Sequence, residues 1–333
     1  MTTLDLLDWN EPWFSAGLLD WNGPDRSQGL SPDGVDGSTY ARAVLEVRAD
    51  LELPPRPPRL TGPKKPPKPD PTESGLDIKV FIALMEVAQH ARLTYESDAQ
   101  GRTKSAEMTL GTVSSPPVVR PADSDLPKAA LRTKNKMIRA LGRTAEILAQ
   151  NVEPDRFFLD ALGMHRRDFP YTHALARVSI LGANVFCLRL KELFRLLRPS
   201  QVRGDDKKPV LLRAPLLPLP AHSAFPGGHA MQGAAVATVL QVLLRQKPPP
   251  DLMELAARVA ENREIAGLHH DLDTAAGLEA GRWFGGALFA LAAEPGATML
   301  MHLIQEAEIE CDPDGDQSIV DESNGANASS EGG

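Results

Sequence analysis

The chain has very little cysteine: Cys187 and Cys311 are the only two in 333 residues. One lies in an apolar stretch and the other in an acidic region near the C-terminus. A disulfide framework needs several cysteines, and a cysteine-based zinc site needs closely spaced ones. We therefore expect neither, and the composition is typical of a protein from a reducing compartment.

Positive charge and long apolar runs are also scarce. The net charge is -8 and the isoelectric point about 5.6, whereas general nucleic-acid binders neutralise phosphates with a basic surface. The longest apolar stretches, residues 178–190 and 283–293, are too short or interrupted to span a bilayer. The N-terminus, MTTLDLLDWNEPWF, lacks the basic and apolar regions of a signal peptide. These features predict a soluble, cytoplasmic protein without nucleic-acid partners.

Strand-like alternation is almost absent, whereas apolar residues recur at helical spacing over much of the chain. A first helix is predicted from about residue 75 to residue 96, followed by a polar loop at 97–126. Further helices are predicted at 128–150, 156–162, 172–197, 230–245, 251–266, 272–292 and 297–308. The predicted fold class is all-α.

Both ends of the chain differ from this helical part. Residues 1–75 contain a repeated LLDWN string and a run rich in proline and lysine at 54–71. Proline donates no backbone hydrogen bond, so a long and largely irregular N-terminal segment is predicted. The Trp and Leu residues of the repeat are expected to pack onto the main body. A helical domain at 76–310 and a disordered acidic tail at 311–333 complete the predicted organisation.

Three short strings in the second half contain residue types suited to binding a tetrahedral oxyanion. The first is Lys191 with Arg198 and Pro199, on the predicted helix 172–197. Seven residues are almost two helical turns, so both cations would leave one face roughly 10 Å apart and hold one anion between them. The alternative is a solvated helical face.

The second string is FPGGHA, at 225–230, immediately before an apolar helix. Gly227 and Gly228 permit backbone angles that turn several N–H groups toward one point, and the helix N-terminus adds a positive dipole end. His229 would face the anion there and exchange protons with it. For the isolated string, a helix-entry loop with a capping His is the simpler interpretation.

The third string contains Arg263, His269 and Asp273, with Gly267 suggesting that one helix closes and another opens. His269 and Asp273 are four residues apart, so they would share a helix face, and the carboxylate can orient the imidazole and fix its tautomer. This arrangement makes His269 a better nucleophile or metal-oxide ligand.

The neighbouring His270 and Asp271 are candidates for a divalent-metal pair. Adjacent residues diverge on a helix, however, so a solvent-facing role is the expectation for both.

In this order the strings resemble the signature of the type 2 phosphatidic acid phosphatase and vanadium-dependent haloperoxidase superfamily, which reads KxxxxxxRP, PSGH and SRxxxxxHxxxD. The resemblance covers residues 191–273. Gly227 stands where the family usually has Ser, which removes a hydroxyl that would bind the anion. Asn262 also stands where the family usually has Ser, a milder change because an amide still forms hydrogen bonds.

The resemblance implies a helical bundle with the anion site in its core. The groups that would hold phosphate or vanadate are Lys191, Arg198, Gly227, Gly228 and Arg263. His229 would be the acid–base group. His269 would be the axial vanadium ligand or the nucleophile toward phosphate, with Asp273 as its catalytic partner.

Two chemistries share such a pocket, because five-coordinate vanadate has the shape of a phosphoryl-transfer transition state. The lack of membrane spans favours the haloperoxidases and the soluble acid phosphatases over lipid phosphatases. His222 stands where similar bromoperoxidases often have His, and an exposed loop His is the alternative. The leading hypothesis is a vanadium-dependent haloperoxidase-like enzyme that uses vanadate, hydrogen peroxide and a halide, bromide before chloride, with His222 among its catalytic residues.

Two alternatives remain open from the sequence. One is a soluble acid phosphatase that cleaves phosphomonoesters through a phosphohistidine at His269 and needs no vanadate. The other is a non-catalytic anion-binding scaffold. Related haloperoxidases often assemble, so the resemblance also implies a possible homodimer.

Overall fold

The structure is a computed structural model that describes residues 2–5, 37–51, 73–139, 141–150, 154–211, 214–244 and 251–311. The described part is mostly helical with one small sheet, which confirms the predicted fold class. The LLDWN repeat, the run at 54–71 and the tail after residue 311 lie outside the described residues, so the predictions for them stay predictions.

The helices and strands alternate along the chain as follows. The helices are α1 Gly37–Asp50, α2 Glu73–His90, α3 Leu126–Arg139, α4 Thr144–Ala149, α5 Pro154–Ala161, α6 Pro170–Phe194, α7 Gly228–Leu244, α8 Leu252–Ile265, α9 Asp271–Ala292 and α10 Thr298–Cys311. The strands are β1 Thr2–Asp5, β2 Ala91–Ser97, β3 Thr103–Leu110, β4 Val113–Ser114 and β5 Val118–Val119. Short 3-10 turns lie at Asp123–Asp125, Leu141–Arg143 and Pro199–Gln201.

The sheet corrects two predictions. The helix predicted to reach residue 96 ends at His90, and the predicted polar loop at 97–126 holds most of an antiparallel sheet with strand order β1-β2-β3-β4 and β5 beside β3. Leu93 pairs with Met108, and both side chains are fully buried. Strand β3 alternates buried and more exposed residues, but it reads TKSAEMTL, so its alternation is carried by small and polar residues as well as apolar ones.

The N-terminal region contains two elements that the sequence did not predict. Strand β1 pairs with β2, with Asp5 opposite Arg92, and helix α1 packs against α4 and α5. A strand of four residues is too short to show a pattern, and the nearby proline-rich run masked the helical spacing of Val44 and Val47. Another predicted helix, 128–150, is divided around Gly142, a residue that weakens helices.

Helix α7 packs against α6, α8 and α9, and most of its side chains are buried. Glycines on α9 permit the close contact with α7. A Cβ atom at Gly277 would lie 2.5 Å from the carbonyl oxygen of Gly227, and one at Gly281 would overlap the backbone of Met231. This contact fixes the start of α9 against the start of α7, where the second and third strings meet.

Helix α6 carries Lys191 of the first string. The segment 170–201, which begins with this helix, is apolar and long enough to cross a membrane by composition, but 67% of the apolar window is buried inside the protein. Glu310 of α10 anchors the start of α6, because its carboxylate accepts hydrogen bonds from the backbone N–H groups of Tyr171 and Thr172, each at 2.8 Å. The helix therefore serves as a core element.

Candidate functional site

The three strings meet at one cavity of about 600 Å³. Helices α6 and α7, the segment 216–220 and the residues just before α9 line it. Its polar lining residues are Asn184, Lys191, His222, His229, Gln232 and His269, and most of the others are Leu or Pro. Of the remaining predicted site residues, Gly228 lines the cavity, whereas Arg198, Gly227, Arg263 and Asp273 are buried and do not line it.

Lys191 is almost fully buried, with 2% of its surface exposed. Its Nζ donates hydrogen bonds to the carbonyl oxygens of Ser223, at 3.1 Å, and Ala224, at 2.7 Å. No carboxylate among the described residues lies within ion-pair distance. Burial lowers the pKa of Lys191, because the charged ammonium loses its hydration. The cavity therefore presents a poorly neutralised cation.

The position of Arg198 corrects the prediction that Lys191 and Arg198 project from the same face of one helix. Helix α6 ends at Phe194, since Arg195 adopts a left-handed conformation with φ of 50°, and Arg198 lies beyond it in extended backbone. Its guanidinium donates to the carbonyl oxygens of Leu268, at 2.9 Å, and His222, at 3.0 Å. The side chain is 1% exposed, and burial lowers its pKa. Arg198 thus joins the two loops that carry site histidines.

Arg263 lies on α8 and is also 1% exposed. Its Nη2 donates to the carbonyl oxygen of Ile147 at 2.6 Å, and burial lowers its pKa to about 10. The preceding Asn262 donates its amide to the carboxylate of Glu146 and to the side-chain oxygen of Gln150, both at 2.7 Å. Asn262 therefore holds α4 against α8 and does not line the cavity.

The glycine pair acts differently from the sequence prediction. Neither Gly227 nor Gly228 adopts a positive φ. The N–H of Gly227 donates to the carbonyl oxygen of Asp273 at 2.8 Å, so it is engaged within the protein. A Cβ atom at Gly228 would lie 3.9 Å from Cε of Lys191, which places the start of α7 next to that cation. The first N–H groups of α7 thus supply a helix N-terminus beside Lys191.

His229 occupies the second position of α7 and is half-buried. Its ring has no hydrogen-bond partner among the described residues, and it lines the cavity. Burial, followed by the positive charge of Arg263, lowers its pKa well below the ordinary histidine value. His229 is therefore neutral near pH 7 and able to accept a proton from a molecule in the cavity.

His269 and Asp273 form the contact that the sequence predicts, but not by sharing a helix face. Helix α9 begins at Asp271, so His269 precedes it, and Nδ1 of His269 lies 3.1 Å from Oδ2 of Asp273. An ionised carboxylate only accepts hydrogen bonds, which places the proton on Nδ1 and leaves Nε2 with its lone pair. Burial lowers the pKa of His269 well below its ordinary value, with Lys191 and Arg198 adding to the effect.

The solvent-facing role expected for His270 is wrong. His270 is fully buried, and its Nε2 donates to the carbonyl oxygen of Leu197 at 3.1 Å. Asp271 pairs instead with Arg132. Among the described ranges, no three His, Cys, Asp or Glu side chains lie close enough together to hold a metal ion. No further ligand among them therefore accompanies His270 and Asp271.

His222 stands at the exposed side of the cavity. Its Nδ1 lies 3.2 Å from Nη2 of Arg198, which can only donate, and 3.2 Å from the carbonyl oxygen of Ser223, which can only accept, so the two contacts call for opposite tautomers. Partial burial and the charge of Lys191 lower the pKa of His222 to about 4. A second neutral imidazole therefore faces the same space as His229.

Two groups of lining residues were not singled out in the sequence. Asn184 lies seven residues before Lys191, and Gln232 lies three residues after His229, so helical spacing alone could have placed both on the cavity face. The apolar segment 216–220 gave no signal, because it lacks regular structure and reaches the site only through the fold.

No family model matches the sequence, and no curated protein matches it significantly. Among solved structures, a bacterial vanadium-dependent iodoperoxidase is similar at 14% identity and a TM-score of 0.31, over 75% of this chain and 48% of that chain. This chain thus spans about half the length of that structure.

Proposed function

We propose that this protein is a vanadium-dependent haloperoxidase-like enzyme that oxidises a halide with hydrogen peroxide, and that it prefers bromide to chloride. One observation supports the binding of an oxyanion, which this activity requires first. Lys191 and Arg198 are 2% and 1% exposed, and neither forms an ion pair with a described carboxylate. Buried cations without a carboxylate in ion-pair contact are costly even though Asp273 is near, and a bound oxyanion would compensate for them.

The residues present suit vanadate. Vanadate needs a single imidazole ligand and positive surroundings, and His269 and Lys191 of the cavity lining are residues of these types. Nε2 of His269 keeps its lone pair for that bond, and Lys191 and the start of α7 adjoin it in the cavity. Bound vanadate would supply a Lewis acid that activates peroxide toward halide attack.

The other roles belong to the chain's own groups. His229 accepts a proton from incoming peroxide, since its imidazole is neutral and has no hydrogen-bond partner among the residues described. Asp273 holds His269 in the required tautomer. His222 assists proton transfer at the exposed side, and Arg198 and Arg263 raise the positive potential without lining the cavity.

A second candidate is a soluble acid phosphatase. The same contact between His269 and Asp273 favours it, because a neutral imidazole with Nε2 unprotonated is also a nucleophile toward phosphorus. His229 would then have to donate a proton to the leaving oxygen. Its lowered pKa opposes that role, because the imidazole is neutral near pH 7, so the peroxidase is the better fit to this site.

Two assays on purified protein separate the candidates. One contains vanadate, hydrogen peroxide and bromide, and the other contains an aryl phosphate. Halide oxidation that depends on vanadate supports the peroxidase, and phosphate release inhibited by vanadate supports the phosphatase. The variant His269→Ala should abolish either activity, whereas His165→Ala, at an exposed histidine, should not. Sulfate binding without either activity would point to the anion-binding scaffold.

A further inference from the structure

One wall of the cavity carries a pair of amide side chains that the oxyanion chemistry does not use. Asn184 of α6 and Gln232 of α7 both line the cavity, and Nε2 of Gln232 donates to Oδ1 of Asn184 at 3.0 Å. The reverse bond, from Nδ2 of Asn184 to Oε1 of Gln232, is not made. The pair therefore keeps one donor group and one acceptor without partners among the described residues.

The position of this pair relative to the anion end follows from helix geometry. Gln232 is one turn beyond His229 on α7, and Asn184 is two turns before Lys191 on α6. These offsets correspond to roughly 5–10 Å along the helix axes, because an α-helix rises about 1.5 Å per residue. A molecule on the amide pair would thus lie within one small-molecule length of the anion end.

Apolar surface adjoins the pair. Leu188 lies between Asn184 and Lys191 on the same face of α6, and Leu216 and Leu219 line the cavity. Both of these last two leucines are 43% exposed, so they hold apolar surface open to an incoming molecule. A few convergent polar groups on an apolar wall are typical of a small-molecule site.

We propose that Asn184 and Gln232 form a recognition subsite for a carboxamide or lactam edge attached to an apolar, preferably aromatic, body. The amide N–H of the ligand donates to Oε1 of Gln232, and its carbonyl accepts from Nδ2 of Asn184. Its role as a substrate subsite rests on the proposed function, since it would select the organic molecule that the enzyme modifies. Its ability to bind a carboxamide does not rest on the proposed function.

Benzamide and acetophenone are matched probes, because acetophenone has a methyl group where benzamide has its amide nitrogen. Each probe is titrated with the full-length protein, and ligand-observed NMR measures its affinity. Benzamide should bind about tenfold more tightly, since only benzamide satisfies the acceptor of Gln232. The substitution Gln232→Met should reduce this preference to about onefold, and Gln232→Leu is the second variant if the first fails to fold. Asn184→Leu should instead weaken the binding of both probes, because both have the carbonyl that accepts from Nδ2 of Asn184.

Gln305→Met is the control, at an exposed glutamine of α10, and it should keep the full preference. Equal affinities of the two probes for the unmodified protein, or a preference that survives the substitutions at Gln232, would overturn the subsite. Protein that prefers benzamide but shows neither activity would refute the proposed function and leave the subsite intact. An active enzyme that does not prefer benzamide would refute the subsite and leave the proposed function intact.

Discussion

Oδ2 of Asp273 lies 3.1 Å from Nδ1 of His269, while Oδ1 of the same carboxylate is buried without a hydrogen-bond partner among the described residues. Oδ2 also accepts a hydrogen bond from the backbone N–H of His270 at 2.8 Å. One oxygen therefore holds both the histidine and the start of α9. The other oxygen contributes charge in a fully buried position, and burial raises the pKa of the group.

Because of this asymmetry, Asp273→Asn can separate charge from geometry. The amide oxygen can take the place of Oδ2 and keep both bonds, whereas the negative charge is lost. Activity should fall about 10- to 100-fold, as for other groups that orient a catalytic imidazole. Sulfate should bind at least as tightly, since the carboxylate near Lys191 and Arg198 is gone.

Calorimetric titration with sulfate and steady-state kinetics measure the two effects. Asp273→Ala is the comparison, because it removes both hydrogen bonds and should also destabilise the start of α9. Unchanged activity in Asp273→Asn, together with a fall in Asp273→Ala, would mean that Asp273 acts only as a structural cap.

Lys191 offers a contrast between stability and binding. The substitution Lys191→Met removes a buried charge and two hydrogen bonds to carbonyl oxygens, two changes of opposite sign. We expect the free energy of unfolding to change by no more than about 1 kcal/mol, while sulfate affinity falls about tenfold or more. Chemical denaturation and calorimetry test this.

The matched control is Lys128→Met, at an exposed lysine of α3, which should leave both quantities unchanged. A loss of several kcal/mol in stability with unchanged sulfate affinity would make Lys191 a structural lysine.

The sequence predicts which residues meet at the cavity better than how the backbone places them. Lys191, His229 and His269 line one cavity, and their residue types and order in the sequence were enough to single them out. The left-handed Arg195, which removes Arg198 from the helix, depends on tertiary contacts. The burial of His270 is also decided by tertiary packing, as its bond to the carbonyl oxygen of Leu197 shows.

Gly227 shows why a missing hydroxyl has to be judged in its surroundings. A Cβ atom there would lie 3.0 Å from the carbonyl oxygen of Asp273, a backbone atom with little room to move. Both Gly227→Ala and Gly227→Ser should therefore lower the free energy of unfolding by about 1–3 kcal/mol, the usual cost of overpacking.

Comparing these two variants isolates the hydroxyl, because they share the same Cβ atom. If the hydroxyl reaches the anion, Gly227→Ser should bind sulfate more tightly than Gly227→Ala, by about threefold to tenfold. Equal sulfate affinities would show that the serine of the family signature has no counterpart role in this cavity.

The lowered pKa values of His229 and His222 predict that anion binding depends on pH. After burial, the described groups that act most on the pKa of His229 are Arg263, His269, Lys191 and His222, and each of them lowers it. A bound dianion would raise the pKa of both His229 and His222, so binding should be accompanied by proton uptake. By linkage, sulfate affinity rises as the pH falls from about 7 toward the pKa of about 4 that His222 has without an anion.

Sulfate is the suitable probe, because it stays a dianion over this range while phosphate and vanadate change their own protonation. Calorimetric titration at pH 5.5 and 7.5 should show affinity at least several-fold greater at the lower pH. His229→Asn should flatten most of this dependence, whereas His165→Asn, at an exposed histidine, should preserve it. Affinity that is the same at both pH values would mean that neither imidazole takes up a proton when the anion binds.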